Sequence, residues 1–213
     1  LEPEAAGQLQ GVAAVVPNQH KERLVSDLLQ IDFDDFDFEP IERQPLPGSR
    51  AKTRAYIKVQ DGCDNRCTFC VTTIARGAGR SRPVAAIQAD ISAALAGGAK
   101  EIVLTGVHLG SWGQDFAAPQ HLRDLVAELL RMPDLPRLRL SSLEPWDLDA
   151  DFFGLWADPR LCRHLHLPLQ AGSAATLRRM ARNTTPAKFS ALVQAARAAI
   201  PEVAITTDLI AGF

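Results

Sequence analysis

The sequence predicts an α/β fold built on a parallel sheet. Beyond residue 50, short apolar segments of strand length alternate with longer segments of helical periodicity, and this alternation is typical of βα units. Glycines and polar residues follow the strand candidates, as they do where parallel strands bring binding groups to one rim. With 213 residues and 46% hydrophobic content, the chain can bury one substantial core and a small appendage.

Five strand candidates make up the predicted sheet. Residues 53–60 (TRAYIKVQ) alternate apolar and polar side chains, as a half-buried strand does. The four that follow are residues 101–105, 137–141, 163–167 and 203–207. Residues 12–16 (VAAVV), near the start of the chain, are also predicted to form a strand.

Helices are predicted between these strands. They cover residues 84–96, 121–131, 149–157, 174–180 and 186–199, and residues 21–29 (KERLVSDLL) form a shorter helix ahead of the sheet. Since at least one helix separates each pair of successive strands after residue 53, the strands are expected to run parallel.

A change in composition divides the chain near residue 40. Residues 27–42 contain seven acids and no base, and residues 43–49 (RQPLPGS) have the composition of a linker. The acidic run is interpreted as a solvated connector rather than a recognition tail. We therefore predict that residues 1–40 are the tail of another domain with its acidic linker, and that residues 41–213 form the core domain.

Charge and hydropathy limit the classes of protein to consider. The net charge of −2 gives no overall nucleic-acid footprint, so any RNA contact must come from local patches. The first residues (LEPE) are not a targeting sequence, and no apolar stretch reaches the roughly 20 residues that a membrane helix needs. We expect a soluble, cytoplasmic protein with no membrane partner.

Three closely spaced cysteines form the most informative motif. Cys63, Cys67 and Cys70 have the spacing C-x3-C-x2-C, which lets one loop place three thiolates around a [4Fe–4S] cube and leaves the fourth iron without a protein ligand. The loop is expected at the carboxyl end of the first strand. Cys162, the remaining cysteine, opens an apolar run and is interpreted as a small buried hydrophobe.

Two other interpretations of the cysteines stay open. A structural zinc site usually takes four Cys or His ligands, commonly as two spaced pairs, and no second pair is present. Buried, inert cysteines are the second alternative, but turn and polar residues surround these three.

Polar residues gather after each strand candidate. The segments are 105–113 (TGVHLGSWG), 141–146 (SSLEPW), 166–173 (HLPLQAGS) and 206–213 (TTDLIAGF). Glycines in the first segment allow close backbone approach to a ligand. His164 and His166 alternate along one strand face and are predicted to support the site rather than to contact a ligand.

Two groups of basic residues are candidates for contact with RNA. Arg76, Arg80 and Arg82 lie among glycines beside the cysteine motif and are predicted to grip RNA phosphates or a ligand carboxylate, with a solvated loop as the alternative. The second group is interpreted as an ordinary exposed helix face and consists of Arg178, Arg179, Arg182 and Lys188.

In combination, several segments resemble the methylthiotransferases of the radical S-adenosylmethionine (SAM) superfamily, over residues 50 to 213. They are the cysteine motif with the preceding QDG, LTGVHLGSWGQD (104–115), LSSLEPWDL (140–148), LCRHLHLPLQAGS (161–173) and AITTDLIAGF (204–213). The resemblance implies a partial, open (β/α) barrel of the radical SAM type. One of six strands is absent, and residues 1–40 are a remnant of an N-terminal domain.

The resemblance also implies what the chain lacks. Full members carry a second [4Fe–4S] cluster on three further N-terminal cysteines and a C-terminal RNA-binding TRAM domain, so we expect a fragment of a longer enzyme. Thr73 and Ile74 stand where the family usually has Pro-Tyr.

The family's chemistry implies SAM and a [4Fe–4S] cluster as cofactors. The cysteines hold the cluster, SAM chelates its open iron, and cleavage of SAM gives a 5′-deoxyadenosyl radical. Phe69 matches a position that packs near the adenine of SAM. The other positions matched to SAM binding are Thr105, Gly106, Ser142, Glu144, Gln170 and Asp208.

By the same resemblance, the substrate is adenosine 37 beside the tRNA anticodon, in the branch that acts on threonylcarbamoyladenosine. An electron donor such as flavodoxin or ferredoxin is implied, and the protein is expected to be a monomer. Alternatives are isopentenyladenosine 37, a ribosomal protein aspartate, or a binding module without turnover that holds an iron–sulfur cluster or zinc.

Overall fold

The computed structural model describes residues 3–17, 20, 23–30 and 53–213. Two short helices, α1 (Pro3–Gly7) and α2 (Leu24–Leu29), precede the sheet. The second confirms the helix predicted over residues 21–29, of which 21 and 22 lie outside the described part. The first was not predicted from the sequence.

The strand predicted over residues 12–16 is wrong. These residues follow α1 without strand structure. Val12 and Val15 are 39% and 38% exposed, and no described strand pairs with this segment. Apolar composition does not make a strand without a partner for its backbone groups. The predicted acidic connector beyond residue 30, and with it the domain boundary at 40, lies outside the described residues.

All five predicted strands of the core are confirmed. Seven strands are described in chain order: β1 (Arg54–Lys58), β2 (Gln60–Asp61), β3 (Arg80–Ser81), β4 (Glu101–Thr105), β5 (Leu138–Leu140), β6 (His164–His166) and β7 (Ala204–Thr206). Strands β1, β4, β5, β6 and β7 are the five that the sequence predicted. The pairs β1–β4, β4–β5 and β6–β7 are parallel. Parallel bridges from Leu138 to Leu161 and from Ser142 to His166 connect the edge of β5 to the β6 segment.

The five parallel strands thus follow one another in the order β1-β4-β5-β6-β7. Within the described residues this sheet is open, which agrees with the partial barrel expected from the sequence. β2 and β3 form a separate antiparallel pair, and the cysteine motif lies in the loop between them, beyond the carboxyl end of β1.

The five helices predicted in the core are also confirmed. Helices α4 (Val84–Ala96) and α8 (Pro186–Ala199) have the predicted bounds, and a short helix α3 (Thr72–Arg76) inside the cysteine loop was not foreseen. The others are α5 (Leu122–Leu130), α6 (Ala150–Phe153), which continues as a 3₁₀ turn over Gly154–Ala157, and α7 (Ala174–Arg179). None of the described helices is long and apolar enough to cross a membrane.

Side-chain caps explain where several helices begin. The Thr185 hydroxyl accepts a hydrogen bond from the Lys188 N–H at 3.2 Å, and Pro186 occupies the first turn of α8, where its missing N–H costs nothing. The Asp149 carboxylate caps α6 through the Phe152 N–H at 2.8 Å.

One hydrophobic core lies between the sheet and its helices. Strand residues such as Ile57, Leu104 and Leu165 pack in the same cluster as Ile91 of α4 and Leu125 of α5. Cys162 is buried, as expected for a small hydrophobe.

Leu104→Ala should lower the free energy of unfolding by about 2–5 kcal/mol, because Leu104 is fully buried in the central strand β4 and its truncation leaves a cavity. Leu28→Ala removes the same atoms from a side chain that is 57% exposed and should change stability by less than about 0.5 kcal/mol. Denaturant unfolding followed by circular dichroism measures both. Equal losses would contradict the placement of β4 at the centre of the core.

Candidate functional site

The cysteine loop begins at a glycine that no other residue could replace without movement. Gly62 has a φ of 74°, and a Cβ atom there would lie 1.9 Å from the carbonyl oxygen of Ala78. The tight crossing places the Cys63 N–H 3.0 Å from the Gly77 carbonyl that accepts its hydrogen bond. The two ends of the loop therefore close against each other at the base of the cysteine motif.

A buried glutamine connects this loop to the one after β4. The Gln60 side-chain amide donates to the carbonyls of Asp61 and Gly62 at 3.0 and 2.9 Å. Its oxygen accepts the His108 N–H at 2.8 Å. Gln60 is 1% exposed, so all of these bonds form away from water and fix the relative position of the two loops.

The far side of the cysteine loop docks on the carboxyl end of α7. The Thr68 N–H donates to the Met180 carbonyl at 3.1 Å, and the Thr68 hydroxyl donates to the Arg179 carbonyl at 2.9 Å. Phe69 packs against a small buried cluster formed by Ala171, Leu177 and Met180. The three cysteines are thus held between β2 and the end of α7.

Arg182 corrects the interpretation of the second basic group. It lies beyond the end of α7, not on it, and its side chain is 1% exposed. The guanidinium donates two hydrogen bonds to the Glu144 carboxylate, at 3.0 and 2.6 Å, and its nitrogen Nη1 also lies 3.7 Å from the Cys67 sulfur. Arg178, Arg179 and Lys188 are exposed, as predicted.

Three free thiols lie on the cysteine loop. Cys63 and Cys67 are half-buried and Cys70 is exposed. Burial raises the pKa of the Cys63 thiol, and the neighbouring Cys67 and Cys70 raise it further, against a backbone hydrogen bond from Asn65 that lowers it. Bound iron would offset this repulsion between thiolates. Within the described part of the chain, no three His, Cys, Asp or Glu side chains are grouped to hold a single metal ion.

His108 joins the cysteine loop to the loop after β5. One imidazole nitrogen lies 3.3 Å from the Asn65 amide nitrogen, and the other lies 2.7 Å from the Asp147 carboxylate. Burial disfavours the charged imidazole, but the hydrogen bond and the charge of Asp147 outweigh it and raise the His108 pKa. Gly110 permits this pair, since a Cβ there would lie 2.1 Å from the Asp147 carboxylate.

The residues matched to SAM binding lie at the carboxyl ends of the parallel strands. Thr105 ends β4 and Gly106 follows it, while Ser142 follows β5 and bridges to His166. The Gln170 N–H donates to the Asp208 carbonyl at 2.9 Å, which joins the loops after β6 and β7. Phe69 and Glu144 approach the same rim from the cysteine loop and the loop after β5.

The two histidines of β6 point to the same side of the strand, as predicted. His164 Nε2 and His166 Nδ1 lie 3.1 and 2.8 Å from the Thr206 hydroxyl, and His166 Nε2 lies 3.1 Å from the Asp208 carboxylate. They connect β6 to β7 and to a residue matched to SAM binding.

Two of the three arginines in the predicted basic patch, Arg76 and Arg82, form ion pairs within the protein. Arg76 Nη1 lies 3.0 Å from the Asp61 carboxylate, and Arg82 Nη1 lies 2.7 Å from that of Asp90. Arg82 also donates to the Lys58 carbonyl at 2.8 Å. Arg80 is exposed.

The sequence profile of the radical SAM superfamily matches residues 57–213. The threonylcarbamoyladenosine tRNA methylthiotransferase MtaB of Thermotoga maritima is 40% identical over 164 residues, which are 76% of this chain and 37% of that protein. A tRNA-2-methylthio-N(6)-dimethylallyladenosine synthase of Parafrankia sp. is 39% identical over 170 residues, 79% of this chain and 34% of that protein. The chain therefore spans about a third of the length of these relatives.

Solved structures with the same fold include radical SAM enzymes. The radical SAM methyltransferase TsrM of Kitasatospora setae, with tryptophan and a SAM analogue bound, superposes with a TM-score of 0.58 at 22% identity, over 78% of this chain and 33% of that one. The cobalamin-dependent radical SAM enzyme OxsB gives 0.58 at 15% identity, over 73% and 23%. Together with the open parallel sheet and the cysteine loop at its carboxyl edge, the profile match shows that the chain belongs to the radical SAM superfamily, whose cofactors are a [4Fe–4S] cluster and SAM, and within it the chain is similar to tRNA methylthiotransferases.

Proposed function

We propose that this chain is the core of a tRNA methylthiotransferase that adds a methylthio group to C2 of threonylcarbamoyladenosine 37. The observation that carries the proposal is the cysteine loop, fixed by Gly62, Gln60 and α7 at the edge where the parallel strands end. Relatives named MtaB support this substrate. The dimethylallyladenosine synthases match almost equally well, which makes N(6)-dimethylallyladenosine 37, also called isopentenyladenosine, the second candidate substrate.

Cys63, Cys67 and Cys70 are proposed to hold the cluster. Three thiols on one closed loop are the ligand set of a cube with one iron left open to another ligand. When bound, the cluster and SAM supply the radical chemistry that activates the C2 position. The protein contributes the ligands, their fixed spacing and the surrounding polar contacts.

The rim residues are proposed to bind SAM. Thr105, Ser142 and Asp208 offer hydroxyl and carboxyl groups for its ribose and its methionine end, and Gly106 offers backbone. Glu144 and Gln170 complete the set, with Phe69 against the adenine. Their common location at the strand ends supports the proposal, because ligands of parallel α/β proteins bind there.

Contact with tRNA is proposed for the loop that carries α3. Arg80, which begins β3 directly after this loop, is exposed, and Arg76 and Arg82, on either side of it in sequence, each contact a carboxylate of the protein. An external electron donor such as flavodoxin or ferredoxin is part of the same proposal.

The His108–Asp147 pair is proposed to fix the relative position of two loops at the rim. It ties the glycine-rich loop after β4, which contains Gly106, to the loop after β5, which contains Ser142 and Glu144. Both side chains are about 10% exposed, so the pair is well shielded from solvent.

Cys67→Ala should abolish cluster assembly. Anaerobic reconstitution of the unaltered chain should give about four irons per chain and an electron paramagnetic resonance signal that changes on addition of SAM. Cys162→Ala is the matched control, because Cys162 is buried on a different segment and should leave iron content unchanged. An unaffected iron content in Cys67→Ala would refute the ligand assignment.

The substrate is tested with two tRNAs that differ only at adenosine 37. With reconstituted protein, SAM, a sulfur source and a reductant, threonylcarbamoyladenosine tRNA should gain a methylthio group, detected by mass spectrometry of the digested nucleosides. Dimethylallyladenosine tRNA should react at least about tenfold more slowly, the effect of about 1.4 kcal/mol in the transition state. The reverse preference would select the second candidate.

Asp147→Asn should destabilise the chain more at about pH 6 than at about pH 9. The folded-state pKa of His108 is raised, so the pair contributes fully below the ordinary histidine pKa of about 6.5, and the contribution is lost as the pH rises through the raised value. Denaturant unfolding at both pH values measures the difference. Asp151→Asn, at an 82% exposed carboxylate, is the control and should show no such pH dependence.

A further inference from the structure

The turn that ends α7 directs Arg182 back toward the cysteine loop. Ala181 has a left-handed backbone with a φ of 53°, the Ala181 N–H donates to the Arg178 carbonyl at 3.1 Å, and the Arg182 N–H donates to the Leu177 carbonyl at 2.9 Å. This is the Schellman pattern, which usually has glycine at the left-handed position. A side chain disfavours the left-handed conformation, and the turn forms with alanine there nonetheless.

The guanidinium of Arg182 contacts three different loops. Besides its two bonds to the Glu144 carboxylate, it donates to the Pro168 carbonyl at 2.5 Å and lies 3.7 Å from the Cys67 sulfur. The ring centre of Trp146 is 4.6 Å from the guanidinium carbon. Arg182 therefore binds the cysteine loop, the loop after β5 and the loop after β6 at once.

The charge at this position is fixed. An arginine side chain stays protonated in proteins, so the buried guanidinium needs a counter-charge, and Glu144 supplies it. The Glu144 carboxylate is 22% exposed, whereas the guanidinium is nearly inaccessible to water. Low exposure leaves the field of the cation poorly screened at the neighbouring sulfur.

We infer that Arg182 is a positioning residue that holds the Cys67 thiolate and sets the reduction potential of the cluster, with Glu144 as its counter-charge. The inference rests on the proposed function, in which Cys67 is a cluster ligand. A hydrogen bond to a ligand sulfur and a nearby cation both stabilise the reduced cluster, which carries one more negative charge. Both effects raise the potential.

Charge-changing variants should shift the potential in opposite directions. Arg182→Met removes the cation and the N–H···S contact and should lower the midpoint potential. Glu144→Met removes the counter-charge and should raise it. The double variant restores the net charge without the N–H···S contact, so its potential should lie between that of Arg182→Met and that of the unaltered protein.

The experiment is a redox titration of the reconstituted cluster without SAM, followed by electron paramagnetic resonance. Arg179→Met is the matched control, because Arg179 is exposed and its side chain contacts Phe213, through a hydrogen bond to the carbonyl at 3.0 Å and a guanidinium carbon 5.8 Å from the ring centre. Its potential should not change. Removing one partner of a buried ion pair is strongly destabilising, so if Arg182→Met fails to fold, the double variant supplies the measurement, because it leaves neither charge unpaired.

Two results would overturn the inference. A loaded cluster whose potential equals that of the unaltered protein in both the Arg182→Met and the double variant would show that Arg182 only packs. A Cys67→Ala chain that retains a normal cluster would remove the proposed ligand itself, and the inference with it. The first result leaves the proposed function intact, so the two failures are distinguishable.

Discussion

The common direction of the five core strands is the constraint on which the rest of the structure depends. Because β1, β4, β5, β6 and β7 run parallel, every loop that leaves a strand at its carboxyl end reaches the same rim. Residues far apart in sequence, such as Thr105 and Asp208, are brought to the same edge of the sheet. The cysteine loop joins this edge through β2, which follows β1 after a single residue.

Parallel strands bring the loops close, but side chains fix their relative positions. Gln60 connects the cysteine loop to the loop after β4, His108 extends that connection to Asp147, and Arg182 connects the cysteine loop to the loops after β5 and β6. Each connector is buried or nearly so, where a hydrogen bond left unmade is costly. Removing any one of these side chains would therefore change the relative position of at least two loops.

The sequence was sufficient where structure is determined locally. Helices α4 and α8 and strand β4 have the predicted bounds because their periodicity and flanking residues agree, and the ends of the other predicted strands differ by at most two residues. The cysteine motif, a local pattern, also indicated the site. The strand predicted at residues 12–16 failed because a strand needs a partner, which composition does not reveal.

The sequence was insufficient where long-range contacts decide a residue's role. Arg182 was interpreted, with Arg178, Arg179 and Lys188, as part of an ordinary exposed helix face. The helix instead ends at Arg179, and left-handed Ala181 turns Arg182 inward. Similarly, Gly110 was assigned to ligand approach, whereas it makes room for Asp147.

Glu144 shows how the proposed cofactor site and the proposed cluster contact could share one residue. A carboxylate has about four lone-pair positions, and Arg182 occupies two of them. The partial exposure of Glu144 leaves the others accessible from the rim. A ligand group that binds there would compete with Arg182 for the same negative charge. Because Arg182 also contacts Cys67, a ligand that binds at Glu144 would change the electrostatic environment of the cluster through one side chain, that of Arg182.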